Sequence, residues 1–146
     1  MIQRIQSVYL ILIAGMMFAM LFFPISGFRV SGELVYIDVF TINSYSFIPT
    51  FVLPALIICT VILALIALFI YKKRMNQMKI CIGIIVLIIL ICASILISYI
   101  GLKNGDAGAF PKILMAFPVV SLIVTFMAIA GIKKDEEMVR SLDRIR

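Results

Sequence analysis

Charged side chains are missing from most of this sequence, and the chain has no histidine. Four stretches contain no Asp, Glu, Lys or Arg: residues 5–28, 39–71, 80–102 and 113–132. A bilayer core about 30 Å thick is crossed by about 20 helical residues, which rise about 1.5 Å each. Because every stretch reaches that length, the sequence predicts a polytopic membrane protein.

The fold class follows from composition and length. The 146 residues are 64% hydrophobic, well above the roughly 45–50% of soluble domains, and a chain of this length forms one domain. We expect an all-α membrane protein, a bundle of four transmembrane helices at about 5–24, 49–71, 80–102 and 112–132. The outer segment, 25–48, contains a Ser-Gly turn signal between two runs rich in β-branched and aromatic residues, which predicts a short β-hairpin cap.

The missing side chains also exclude the common activities of small four-span proteins. Proton-coupled transport needs an intramembrane Asp, Glu or His. Disulfide exchange needs cysteine pairs near the outer face, but the three cysteines all lie within or at the edge of spans. The outer carboxyl groups, Glu33, Asp38 and Asp106, are spread over two loops and form no metal-ligand pattern. We therefore expect no catalytic residue, no cofactor and no metal, and the protein is not expected to be an enzyme.

The net charge of +6 is unevenly placed, and its placement predicts orientation. Basic residues beside spans remain on the cytoplasmic side of a membrane. We therefore expect a bacterial inner-membrane protein with both termini and the central loop in the cytoplasm, and no binding of nucleic acid. Ten of the thirteen Lys and Arg carry this signal: Arg4, Lys72, Lys73, Arg74, Lys79, Lys133, Lys134, Arg140, Arg144 and Arg146.

Small residues at helical spacing predict a close contact between helices. Ser94, Ser98 and Gly101 share one face of the third span, and small residues let helix backbones approach closely. Gly15 and Ala19 form a weaker version in the first span. A substrate groove is the alternative interpretation of the same residues.

Pro118 is expected two turns into the fourth span, where it would remove a backbone hydrogen bond and kink the helix. Such a kink is either a hinge or a static bend, and the sequence leaves this open.

The last segment, residues 133–146, has the pattern of a helix that continues the fourth span. Met138, Leu142 and Ile145 form an apolar stripe at i, i+4 and i+7, and Glu136 and Arg140 form an i,i+4 pair in the favourable order. The stripe suits either the lipid headgroups or a partner protein, and both interpretations stay open.

Three segments resemble a known family. They are MIQRIQ at residues 1–6, KKR-x-x-Q at 72–77, and KDE-x-x-VRS-x-DR-x-R at 134–146. Together they resemble a family of short four-span inner-membrane proteins from Bacteroidetes, catalogued as a domain of unknown function. The resemblance implies the same topology over the whole chain and brings no activity with it.

All three segments lie on the expected cytoplasmic side, so we expect docking there. One hypothesis is that Arg4, the central loop and the tail carboxylates form a polar cluster. The alternative is that these charged residues are solvated and only set the topology, since an ion pair on such a surface contributes only about 0–1 kcal/mol to stability. The candidate docking residues are Arg4, Lys72, Arg74, Gln77, Asp135, Glu136, Met138, Arg140, Leu142, Asp143, Arg144 and Ile145.

The expected function is therefore that of a non-enzymatic accessory or scaffold subunit of an inner-membrane assembly. Its partners would be membrane lipids and another membrane protein or a second copy of the chain. The alternative is a small transporter or carrier for lipid or another hydrophobic solute. Neither alternative needs a charged side chain within the spans.

Overall fold

Four helices and a small antiparallel sheet make up the fold in the computed structural model of the protein. The structure describes the backbone of residues 2–30, 33–40, 49–70, 74–104, 110–111 and 113–143. It describes side chains over 7–27, 36–40, 49–70, 75–100 and 113–134.

The helices form a ring of four. Helix α1 spans Ile2–Met20, α2 spans Val52–Phe69, α3 spans Arg74–Asn104 and α4 spans Phe117–Asp143, with a 3-10 helix at Ile113–Ala116 leading into α4. Helix α1 packs against α2 and α4, and α3 packs against the same two helices. Each helix therefore contacts two neighbours around a shared core.

The core is filled by aliphatic side chains and methionines. Every helix supplies them at helical spacing, so one face of each is buried while the other faces, also apolar, remain exposed. The largest fully buried side chains are those of Leu10, Ile13, Met17, Met20, Ile25, Ile37, Leu53, Ile57, Ile84, Ile88 and Ile91.

Three helical segments are long and apolar enough to cross a membrane. They are Val52–Phe69, Met75–Ile100 and Ile113–Lys134. The part of α1 with described side chains, Ser7–Met20, is a shorter apolar helix. The described residues thus contain three helices of spanning length and one shorter apolar helix.

The first two helices are shorter than the spans expected at 5–24 and 49–71. Helix α1 ends at Met20, before Pro24, because the N–H groups of Leu21 and Phe22 donate to carbonyls three residues back and close a tighter turn. Pro49 was expected at the first helical position of α2, and this prediction is wrong. Its carbonyl instead accepts a 3.0 Å bond from Val52 N–H, in the turn before the helix.

The last two helices extend beyond the spans expected at 80–102 and 112–132. Helix α3 already begins at Arg74, so Gln77 lies in its first turn and not in a loop. Helix α4 runs to Asp143, which confirms the expected helical continuation. It begins at Phe117, so Pro118 lies in its first turn, where a missing N–H removes no intrahelical bond. Pro118 therefore lies at the junction of the 3-10 helix and α4, and not two turns into the α-helix as expected.

The sheet covers the end of the bundle where α1 ends and α2 begins. Strand β1, Ser26–Val30, pairs antiparallel with β2, Glu33–Ile37, in the register Val30 to Glu33, which confirms the expected hairpin. A third strand, β3 at Phe110–Pro111, pairs with Ser26 and Gly27 on the other side of β1. Strand β3 lies just before the fourth span expected at 112–132. The sheet thus joins the connection between α3 and α4 to the hairpin between α1 and α2.

Candidate functional site

The bundle has two different ends. We call the end covered by the sheet the cap end, and the opposite end, where α3 begins and α4 ends, the basic end. Because the sheet joins the end of α1 to the connection between α3 and α4, the start of α1 also belongs to the basic end. In the sequence, ten Lys and Arg and four Asp and Glu fall at residues 4, 72–79 and 133–146, next to the basic end, against three and three at residues 29–38 and 103–112. The net charge of +6 therefore comes from the sequence segments next to the basic end.

The two ends also differ in how far the helices extend. At about 1.5 Å per residue, α1 and α2 are about 28 Å and 27 Å long, close to the thickness of a bilayer core. Helices α3 and α4 are about 46 Å and 40 Å long. Apart from Lys103 near the end of α3, their charged residues lie at the start of α3 and in the last part of α4, so both helices extend polar ends at the basic end.

Five polar side chains are described at the start of α3 and at the end of the described part of α4, and one of them, Asn76, is exposed. Lys79 on α3 and Lys133 and Lys134 on α4 are exposed, whereas Gln77 is only 3% exposed. A buried amide in the first turn of α3 means that the start of this helix is packed and not free in solvent. Of the candidate docking residues, Gln77 is the one whose side chain the structure describes.

The other candidate docking residues lie outside the described side chains. The backbone of Arg4 is in α1, that of Arg74 opens α3, and that of 135–143 belongs to α4. Their joining in a polar cluster stays a prediction. The residues without described side chains are Arg4, Lys72, Arg74, Asp135, Glu136, Met138, Arg140, Leu142, Asp143, Arg144 and Ile145.

Hydroxyl groups are buried between the helices. Thr60 Oγ1 on α2 donates to the carbonyl of Leu56 at 2.8 Å, and Thr125 Oγ1 on α4 donates to the carbonyl of Ser121 at 2.7 Å. Ser121 Oγ lies 4.0 Å from Met16 Sδ, a long O–H···S contact between α4 and α1. Such bonds to a carbonyl within the same helix satisfy a hydroxyl in apolar surroundings.

The structure describes the side chains of two of the three small residues that were expected to form a close contact in the third span. Ser94 and Ser98 are buried, at 6% and 0% exposure, on the side of α3 that packs in the bundle. Among the described residues, Ser94 Oγ is buried without a hydrogen-bond partner. Gly101 lies in α3 but outside the described side chains.

The weaker small-residue pair of the first span is not part of the described core. Gly15 is exposed, and a Cβ placed on it would meet no atom within 4 Å. Ala19 is half-buried. The face of α1 that enters the core carries larger side chains, Ile13 and Met17, and a helix contact through Gly15 and Ala19 stays a prediction.

A shallow apolar groove lies at the cap end. Its volume is about 420 Å³, and its walls come from Phe40 after the hairpin, from the turn before α2 and from the first two turns of α2. Apolar walls of this kind suit a hydrocarbon chain better than a polar solute. The lining residues are Phe40, Thr50, Phe51, Pro54, Ala55 and Ile58.

The sequence matches one protein family. Residues 2–145 match the family described as Domain of unknown function (DUF4293). The chain belongs to this family. Neither the curated proteins nor the solved structures gave a match. The DUF4293 match confirms the resemblance to a domain of unknown function inferred from the two ends and the central loop, whereas the Bacteroidetes origin stays a prediction.

Sequence reasoning missed two features of this DUF4293 protein. It overlooked Thr60 and Thr125, although they are the two threonines within the apolar parts of α2 and α4. Polar groups in an apolar helix turn inward, which was the available signal. It also missed β3, because a strand of two residues has no periodicity to detect.

Proposed function

We propose that this chain is a four-span inner-membrane protein that acts as a non-enzymatic accessory or scaffold subunit and docks to its partner through the basic end. The observation that carries the proposal is the shared extension of α3 and α4 at that end. A helix whose polar part continues beyond its apolar part presents a structured surface next to the membrane. Another membrane protein, or a second copy of the chain, would bind this surface.

Membrane insertion is supported by the distribution of polar and apolar side chains. Phe69 and Ile113 are 77% and 79% exposed, and aliphatic side chains cover the outer faces of all four helices. The described serines and threonines within the apolar parts of α2, α3 and α4 are instead buried. Apolar outer faces and inward hydroxyl groups suit a lipid environment, where helices are hydrophobic all round.

The orientation follows from the charge difference between the ends. Since Lys and Arg beside spans remain in the cytoplasm, the basic end would be cytoplasmic and the cap end would face outward. Residues 1–4 and 133–146 would then both lie on the cytoplasmic side. The shorter α1 would form the first span, with residues 5–20 crossing about 24 Å.

A carrier for lipid or another hydrophobic solute is the second candidate, and the groove at the cap end favours it. This groove would accept an apolar chain from the outer half of the membrane. With Pro118 in the first turn of α4, however, the carrier has no mid-helix hinge at that position. The scaffold proposal therefore has the stronger support.

One experiment separates the two functions. The full chain and a chain ending at Lys134 are purified in mild detergent from their native membrane, and co-purifying proteins and lipids are identified by mass spectrometry. The scaffold predicts a stoichiometric membrane-protein partner that is lost, at least tenfold, with residues 135–146. A double variant at the groove, Phe40→Ala with Phe51→Ala, is the matched control and should keep the partner.

The opposite pattern would support the carrier. A lone protomer or homodimer that holds lipid, and loses it in the Phe40→Ala and Phe51→Ala variant but not in the shortened chain, contradicts the scaffold proposal. Equal thermal unfolding midpoints of the three proteins would show that neither change acts by unfolding the bundle.

A further inference from the structure

We infer that the basic end binds the headgroups of anionic phospholipids through Lys79 on α3 and Lys133 and Lys134 on α4. The inference rests on the membrane insertion proposed above and adds a ligand class to it. All three lysines are exposed. Because α3 and α4 pack against each other, these lysines belong to neighbouring helices of one bundle.

The lysines lie at similar depths along the two helices. Lys79 lies about 38 Å from the end of α3 at Asn104, at about 1.5 Å per residue. Lys133 lies about 32 Å from Ile113, counting the 3-10 helix at about 2 Å per residue and α4 at about 1.5 Å. Both distances are measured from helix ends that lie at the cap end of the bundle. A single layer of headgroups therefore reaches all three ammonium groups.

Apolar side chains continue from the lysines toward the cap end. Ile82 lies one turn from Lys79 on the same face of α3, and Phe126 lies two turns before Lys133 on the same face of α4. Both side chains are about half exposed. A phosphate at the lysines would thus have its acyl chains beside Ile82 and Phe126, which is the arrangement of a phospholipid and not of a free anion.

Charge at this end favours an anionic headgroup over a zwitterionic one. The one carboxylate among the described side chains, Asp38, lies at the cap end. Counting the tail carboxylates as well, the sequence segments next to the basic end contain ten Lys and Arg against four Asp and Glu. Each Lys or Arg near an anionic membrane surface contributes about a fivefold preference for it, and salt screens this attraction.

The test uses the full chain reconstituted in vesicles of equal parts phosphatidylcholine and phosphatidylglycerol. After mild extraction, native mass spectrometry measures the ratio of the two lipids retained by the protein. We expect phosphatidylglycerol to be enriched at low salt and less enriched at high salt. The variant Lys79→Gln, Lys133→Gln, Lys134→Gln should lower the ratio by about fivefold for each lysine that contacts a headgroup.

A matched control removes the same charge from the cap end, with Arg29→Gln, Lys103→Gln and Lys112→Gln, and should keep the enrichment. Loss of enrichment in this control, or equal retention of both lipids by the unchanged protein, overturns the inference. So does millimolar inorganic phosphate that displaces the lipid from the protein, because the ligand would then be free phosphate.

Insertion is measured in the same vesicles by resistance to alkaline extraction. Protein that resists extraction but shows no lipid preference contradicts the lipid inference alone. Protein that is extracted contradicts both this inference and the proposed membrane function.

Discussion

Helices α1 and α2 form a short pair, and α3 and α4 form a long pair. The short pair matches the thickness of a bilayer core, at about 28 Å and 27 Å, whereas the long pair exceeds it, at about 46 Å and 40 Å. The charged residues of α3 and α4 lie mainly at the basic end, so most of the additional length belongs there. A bundle that only had to fill a membrane would not need this extension.

The pairs also differ in what they bury. The short pair contributes mainly aliphatic side chains and methionine to the core, with Thr60 as its one fully buried hydroxyl among the described residues. The long pair contributes four buried hydroxyl groups, those of Ser94, Ser98, Ser121 and Thr125. The long pair thus combines the extension at the basic end with the more polar packing inside the bundle.

The largest expected effect tests whether α4 is one continuous helix through the bundle. Ala128→Pro, at a fully buried position well inside α4, should lower the free energy of unfolding by about 3 kcal/mol or more, because it removes a backbone hydrogen bond and clashes with the preceding turn. Pro118→Ala, in the first turn, should change it by less than about 1 kcal/mol. Both are measured by unfolding in mild detergent with increasing dodecyl sulfate.

A cost of Pro118→Ala as large as that of Ala128→Pro would contradict this interpretation. It would mean that the proline stabilises the junction between the 3-10 helix and α4, and that the long pair depends on this junction.

The sequence predicted the helices well and their ends poorly. The charge-free stretches of the sequence overlap all four helices. The same stretches misplaced the start of α3, because the helix continues past Lys79, where the charge-free stretch ends, to Arg74. Pro118 was misplaced because nothing in the apolar run shows that residues 113–116 form a 3-10 helix.

Contacts between distant segments were the least predictable part of the fold and the site. The spacing of Ser94 and Ser98 correctly predicted which face of α3 is buried. The spacing of Gly15 and Ala19 did not identify the buried face of α1, because glycine has no side chain whose burial would favour that face. The pairing of β3 with β1 joins segments far apart in the chain and depends on only two residues of each strand. Such pairings are specified by the packed bundle and have no local pattern.

The second-largest expected effect tests whether the short pair and the long pair depend equally on core packing. Ile57→Ala in α2 and Ile88→Ala in α3 remove fully buried side chains, and each should lower the free energy of unfolding by about 2–4 kcal/mol through the cavity left behind. Their sequence neighbours are matched controls: Ile58 and Ile89 are 45% and 52% exposed. Ile58→Ala and Ile89→Ala should cost less than about 1 kcal/mol.

Equal costs at buried and exposed positions would contradict the assignment of these faces. A large cost at Ile88 with a small cost at Ile57 would instead show that the long pair holds the bundle together by itself.

The smallest effect compares one hydroxyl from each pair, and the two are expected to differ in sign. Thr60→Val removes a satisfied bond to the Leu56 carbonyl and should lower the free energy of unfolding by about 0.5 kcal/mol. Ser94→Ala removes a buried hydroxyl without a partner among the described residues and should raise it by about 0.5–1 kcal/mol. If Ser94→Ala is destabilising instead, the Ser94 hydroxyl forms a hydrogen bond that contributes to the packing of the long pair. The larger number of buried hydroxyl groups in the long pair would then have a structural role.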